Sequence, residues 1–194
     1  RRAMRRVIEK YFHQPNYYTI DGKPVFMIYD VPKLVSGLGG IDAAREAIAW
    51  FREECVRSGL PGLHLQFTMW NEKCTNLSGV DGVKTVSAKE FGNLGFDSCS
   101  HYQFVHFLNI DRSYEELLPE VEAEWKRLES EFDFPYFPHV SVGWDNNPRF
   151  NDFRPGVMKN CTPENIERAL RMARDYADRH PEQPPLITVN SWNE

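Results

Sequence analysis

The chain closes on Leu186-Ile187-Thr188-Val189-Asn190-Ser191-Trp192-Asn193-Glu194, and the reading of this stretch decides the fold. Leu186 to Asn190 is short, apolar and β-branched, the composition of a buried strand. The four residues behind it put an aromatic ring, an amide and a carboxylate at that strand's C-terminal end. In parallel sheets this is the end that carries functional groups. A chain whose other strands repeat the arrangement would be an α/β fold with one functional edge.

The rest of the chain does repeat it. Pro24 to Asp30 (PVFMIYD) follows the turn signal Asp21-Gly22 and reads as the first strand. Ile41, Ala44, Ile48, Phe51 and Cys55 recur at helical spacing, and Ser58-Gly59 stops that helix. Leu63 to Trp70 (LHLQFTMW) is the second strand and Phe96 to Phe104 the third. Ser113 to Glu116 has the capping-box pattern and opens a helix faced by Leu117, Leu118, Val121, Trp125 and Leu128. His139 to Trp144 is the fourth strand. Thr162-Pro163 opens a helix faced by Ile166, Ala169, Leu170, Ala173 and Tyr176, and Leu186 to Asn190 is the fifth strand. Ser36 to Gly40 reads as a flexible loop, because Asp42 stands where a phosphate-binding loop needs its third glycine.

Alternating βα units imply a mostly parallel sheet. Five such units fit a flavodoxin-like domain or part of a (β/α)8 TIM barrel. The chain begins in an apparent helix (Arg2 to Tyr11) and not with Met, and both ends read as cut. The reading is therefore a single domain over 1–194, the C-terminal portion of an incomplete (β/α)8 barrel of about five units. Its first three strands are expected from the remainder of the parent chain.

The strand ends share one chemistry. The first delivers Tyr29 and Asp30, the second Trp70 and Glu72, and the third His101 and Tyr102. The fourth delivers Trp144, Asp145, Asn146 and Arg149, and the fifth Trp192, Asn193 and Glu194. Aromatic rings stack on the C–H faces of sugars, while amides, carboxylates and guanidinium groups grip hydroxyls. Carboxylates beside a glycosidic bond serve as acid, base or nucleophile. The pattern points to an oligosaccharide or polysaccharide. His106 also reaches this edge, whereas His64 and His139 open their strands at the other end.

Composition excludes other classes. Hydrophobic residues make up 41% and charged residues 26% of the 194, ordinary values for a globular chain. Net charge is 23 − 28 = −5, which gives nucleic acid no general attraction. No apolar run approaches the ~18 residues of a membrane span. Cys55, Cys74, Cys99 and Cys161 are far apart, without metal-ligand spacing, so no metal or other cofactor is expected.

Three segments carry a family likeness: YFHQPNYYTIDGKPVFMIYD (11–30), HVSVGWDNNPRF (139–150) and ITVNSWNE (187–194). Together they resemble the bacterial WbsX-like proteins of the glycoside hydrolase family 99-like group, and the likeness covers nearly the whole chain. It implies a (β/α)8 barrel acting on carbohydrate. Family 99 enzymes are retaining, metal-free and endo-acting on α-mannosidic bonds. By this resemblance Glu194 is a catalytic carboxylate, matching the first glutamate of the family's Asn-Glu-x-x-Glu motif. It would act as a base on the sugar's 2-hydroxyl, and the second glutamate would follow three residues later. The resemblance also implies an alternative, a glycosyltransferase of polysaccharide biosynthesis, although the chain has no DxD-type motif. A non-catalytic glycan-binding domain is the third possibility. A hydrolase would be periplasmic or secreted and a transferase cytoplasmic.

Overall fold

The computed structural model describes residues 1–69 and 93–190. Trp70, Glu72, Cys74, Trp192, Asn193 and Glu194 lie outside the described residues. Contacts divide the chain into two units. Among the described residues the first holds 1–68 and 93–99, and the second holds 69 and 100–190.

The first unit begins with helix α1 (Arg2–Val7), which widens into a π-type turn over Ile8–Phe12. Strands β1 (Thr19–Ile20) and β2 (Lys23–Ile28) then form an antiparallel hairpin, with Ile20 opposite Lys23. Asp21 and Gly22 both sit at positive φ, 51° and 74°. A two-residue hairpin turn of this hand requires that of both central positions, and Asp-Gly supplies it. The sequence marked the turn; the strand before it is an addition.

β2 pairs in parallel with β3 (His64–Met69), Val25 opposite His64 through Ile28 opposite Phe67. Helix α2 (Val31–Leu38) lies between them in the chain, so the expected flexible loop at Ser36 to Gly40 is corrected. Asp30 starts this helix by accepting from the Lys33 amide at 2.9 Å. Gly39 ends it in the left-handed region at φ 94°, its N–H turned back to the Ser36 carbonyl. The glycines close a helix instead of forming a loop. Helix α3 (Ile41–Arg57) buries Ala44, Ile48, Phe51 and Cys55, the expected face. Phe51 meets Phe12 at 6.1 Å and Phe26 at 5.4 Å between ring centres, which locates this unit's core. β4 (Ser98–His101) follows β3 in the sheet order. Asp97 fixes its entry by accepting from the Leu65 amide at 2.7 Å and pairing with Arg52 at 2.6 Å.

In the second unit helix α4 (Tyr114–Glu131) buries Leu117, Leu118, Val121, Trp125 and Leu128, as the periodicity predicts. The capping box does not form. Ser113 stands at the N-cap without a side-chain cap bond, because its Oγ accepts from Asn160 Nδ2 at 2.9 Å. Helix α5 (Pro163–Asp178) is capped as expected, Thr162 Oγ1 accepting from the Asn165 amide at 3.3 Å. It buries Ala169, Ala173 and Tyr176, and Tyr176 meets Trp125 of α4 edge to face at 5.7 Å. β5 (His139–Ser141) and β6 (Thr188–Asn190) pair in parallel, His139 opposite Thr188 and Ser141 opposite Asn190. The strands are shorter than their apolar runs.

The chain is thus a mixed α/β fold of short parallel strands with helices between them and one antiparallel addition. Among the described residues no helix is long and apolar enough to cross a membrane. No group of three His, Cys, Asp or Glu among them is placed to hold a metal ion.

Candidate glycan site at the strand ends

The second unit gathers the C-terminal ends of β4, β5 and β6. Beneath them lies a belt of buried polar side chains. Ser100 Oγ and Thr188 Oγ1 are 2.6 Å apart, and Thr188 Oγ1 is 2.9 Å from His139 Nδ1. His139 Nε2 lies 3.2 Å from Ser141 Oγ, which accepts the Phe104 amide at 2.9 Å. The Tyr114 hydroxyl donates to the Ser141 carbonyl at 2.6 Å. Burial pushes His139 down to about 3, with His101 and His106 adding to the effect. It is therefore neutral at any ordinary pH and holds the strands in register through hydrogen bonds.

Above this belt the strand ends present a strip of rings. Asn190, last residue of β6, donates from Nδ2 to the Tyr102 carbonyl at 3.1 Å. The Tyr102 ring stacks on His106, centres 5.5 Å apart and planes within 13°. His106 meets Trp144 edge-on at 6.3 Å, and the Arg149 guanidinium lies 6.0 Å from the Trp144 ring. Arg149 also donates to Asn146 Oδ1 at 2.6 Å. Asp145 shapes the turn: its Oδ1 accepts from the Asn147 amide at 2.8 Å and from Asn147 Nδ2 at 2.9 Å. Those bonds hold its carboxyl below the usual range. Half-buried and exposed groups here alternate between apolar rings and hydrogen-bonding edges, which suits a ring of C–H faces bordered by hydroxyls.

Tyr102, Trp144, Asn146 and Arg149 are therefore brought together, with Asp145 organising their turn. His101 is not on the strip. Its ring is 3% exposed as a residue, Nδ1 2.8 Å from the Tyr136 hydroxyl and Nε2 3.5 Å from Glu124. Burial lowers its pKa despite the Glu124 contact. Tyr29 and Asp30 follow β2 in the first unit. Asp30 is engaged as the α2 cap and pairs with Lys33 Nζ at 2.9 Å. Tyr29 is 44% exposed and lines a cavity of about 590 Å³ with Phe26, Leu34 and Trp50. Trp70, Glu72, Trp192, Asn193 and Glu194 lie outside the described residues.

One participant was under-read, and a second was read at this edge without a direction. Asn190 looks like the polar end of a strand, and only its bond to Tyr102 shows its part. His106 falls in a short 3-10 turn (Phe104–His106) after β4, where no periodicity marks its direction.

The fold and the strip define an α/β protein with a sugar-compatible surface at strand ends. The family model Glycosyltransferase WbsX matches residues 1–194, the whole chain, and the chain belongs to that family. Membership makes it a carbohydrate-active enzyme. No curated protein and no solved structure shows a significant match.

Proposed function

We propose that the protein is a carbohydrate-active enzyme that cleaves α-linked glycans, mannose-containing ones among them, by carboxylate catalysis without a metal. The observation that carries the sugar-binding part is the continuous strip Tyr102–His106–Trp144–Arg149 after the ends of β4 and β5. Trp144 and Tyr102 would stack on sugar faces, while Asn146 and Arg149 would take hydroxyls. Glu194 would be the base on the 2-hydroxyl, flanked by Trp192 and Asn193; this role comes from the family 99 resemblance. The sequential order β2-β3-β4 and the parallel pair β5-β6 support a (β/α)8 barrel as the parent architecture.

The second reading is a glycosyltransferase that extends a glycan from an activated donor, and the family's name favours it. One experiment separates the two. The full-length protein is incubated with α-linked oligosaccharides, with and without sugar-nucleotide donors, and products are weighed. Shortened glycans in the absence of donor are the expected result. Glycans lengthened only with donor would establish the transferase instead.

A further inference from the structure

We propose that the loop after β5, Asn147 to Gly156, is a separate subsite for an acidic sugar residue. Phe153 would form its platform, and Arg154, seated over Phe150, its anion-binding group. The inference rests on the glycan-acting reading above and adds the charge of the substrate to it.

Phe153 is 79% exposed and Phe150 37%. Single exposed rings are common on protein surfaces. These two differ because they sit three residues apart on a loop whose base is clamped. Asn147 Oδ1 accepts the Arg154 amide at 2.6 Å, and Asn147 Nδ2 donates back to the Arg154 carbonyl at 3.0 Å. The Met158 amide donates to the Trp144 carbonyl at 3.0 Å and closes the loop where the aromatic strip begins. A loop fixed in this way loses little conformational freedom when a ligand settles on it.

Arg154 supplies the charge. Its guanidinium lies 3.7 Å from the Phe150 ring centre, a close cation–π contact. Arg112, Arg171 and Arg174 in the same unit each pair with a carboxylate. Among the described residues Arg154 has no such partner, so its donor fork faces solvent unneutralised. The one acid within the loop, Asp152, is exposed and unpaired with it. A planar guanidinium offers two parallel N–H groups to a carboxylate. A neutral hexose makes no use of that charge. A uronic acid does, stacking its C–H face on phenylalanine and directing its carboxylate at Arg154. The loop follows directly from Trp144 and Arg149, so such a residue would be a neighbour in a longer acidic glycan.

The test uses the full-length protein and pairs of oligosaccharides of mannose, glucose and galactose. In each pair one member ends in a uronic acid and the other is the same molecule with that carboxyl reduced to the alcohol. The quantity read is the ratio of dissociation constants within a pair. Wild type is expected to favour the acid by about tenfold, the scale of one charge-assisted contact. The preference should shrink in raised salt. Arg154→Gln should abolish it, Arg154→Lys should retain part of it, and Phe153→Ala should weaken the acidic member. A wild type that binds glycans without preferring the acid, or an Arg154→Gln variant that keeps the preference, would overturn the inference and leave the glycan-acting reading intact. Absence of binding to every member would overturn both.

Discussion

Glu124 is the residue whose ionisation the second unit uses most. Burial raises its pKa, but Arg127 grips both oxygens, at 2.7 Å and 2.8 Å, and His101 adds a weaker contact, so the carboxyl falls to about 2. Burial lowers the His101 pKa and its Nε2 stands 3.5 Å from the carboxylate, so Arg127 is the closer partner. A folded value below the ordinary 4.5 gives stability that is present above about pH 5 and lost as pH falls towards 2. Glu124→Gln is expected to cost on the order of 2 kcal/mol at pH 7 and far less at pH 3, read by urea unfolding. Equal losses at both pH values would show that charge is not the cause. For the chemistry, Glu194→Gln is expected to lower the turnover of an α-linked glycan at least about a hundredfold while leaving its binding largely in place. Unchanged turnover would remove Glu194 from catalysis. At this scale the sequence set Trp144 and Arg149 together beyond one strand, and they lie together in the structure. It misled for His101, because position beside a strand end does not say which way a ring faces.

Caps and periodicity explain the elements. The apolar faces of α3 and α4 were legible because burial imposes a 3.6-residue repeat on each. Caps were legible only in part, at Thr162 and not at Ser113, since a cap depends on what else competes for its oxygen. Ser113 and Thr162 illustrate this: only Thr162 bonds its own helix, while Ser113 holds Asn160. Thr162→Ala is expected to destabilise the fold by about 1 kcal/mol. Ser113→Ala should cost only what its contact with Asn160 is worth, about 0.5 kcal/mol. Thermal melting of the two variants checks the order, and a larger loss at Ser113 would mean that the helix uses it after all. The α2 helix escaped the sequence reading for a related reason. Gly37 and Gly39 suggest a loop, yet Asp30 and Gly39 are the two ends of a helix between them.

Across the whole molecule, parallel pairing of β2 with β3 and of β5 with β6 agrees with the alternation of apolar runs and amphipathic stretches along the chain. The hairpin strand β1 was invisible because two residues carry no period. The aromatic strip was partly legible. Its Tyr102 follows a strand directly, Trp144 stands just beyond another and His106 was read at the same edge, whereas Asn190 is joined to them only by a contact that no spacing encodes. In the proposed function this strip binds glycan, and Trp144 is its middle. The most direct measurement is the affinity of the full-length protein and its Trp144→Ala variant for an α-linked oligosaccharide that wild type binds, by calorimetry, with circular dichroism confirming an intact fold. Loss of a stacking ring predicts roughly 30-fold weaker binding, about 2 kcal/mol. Equal affinity in the two proteins would contradict the account and place the glycan elsewhere.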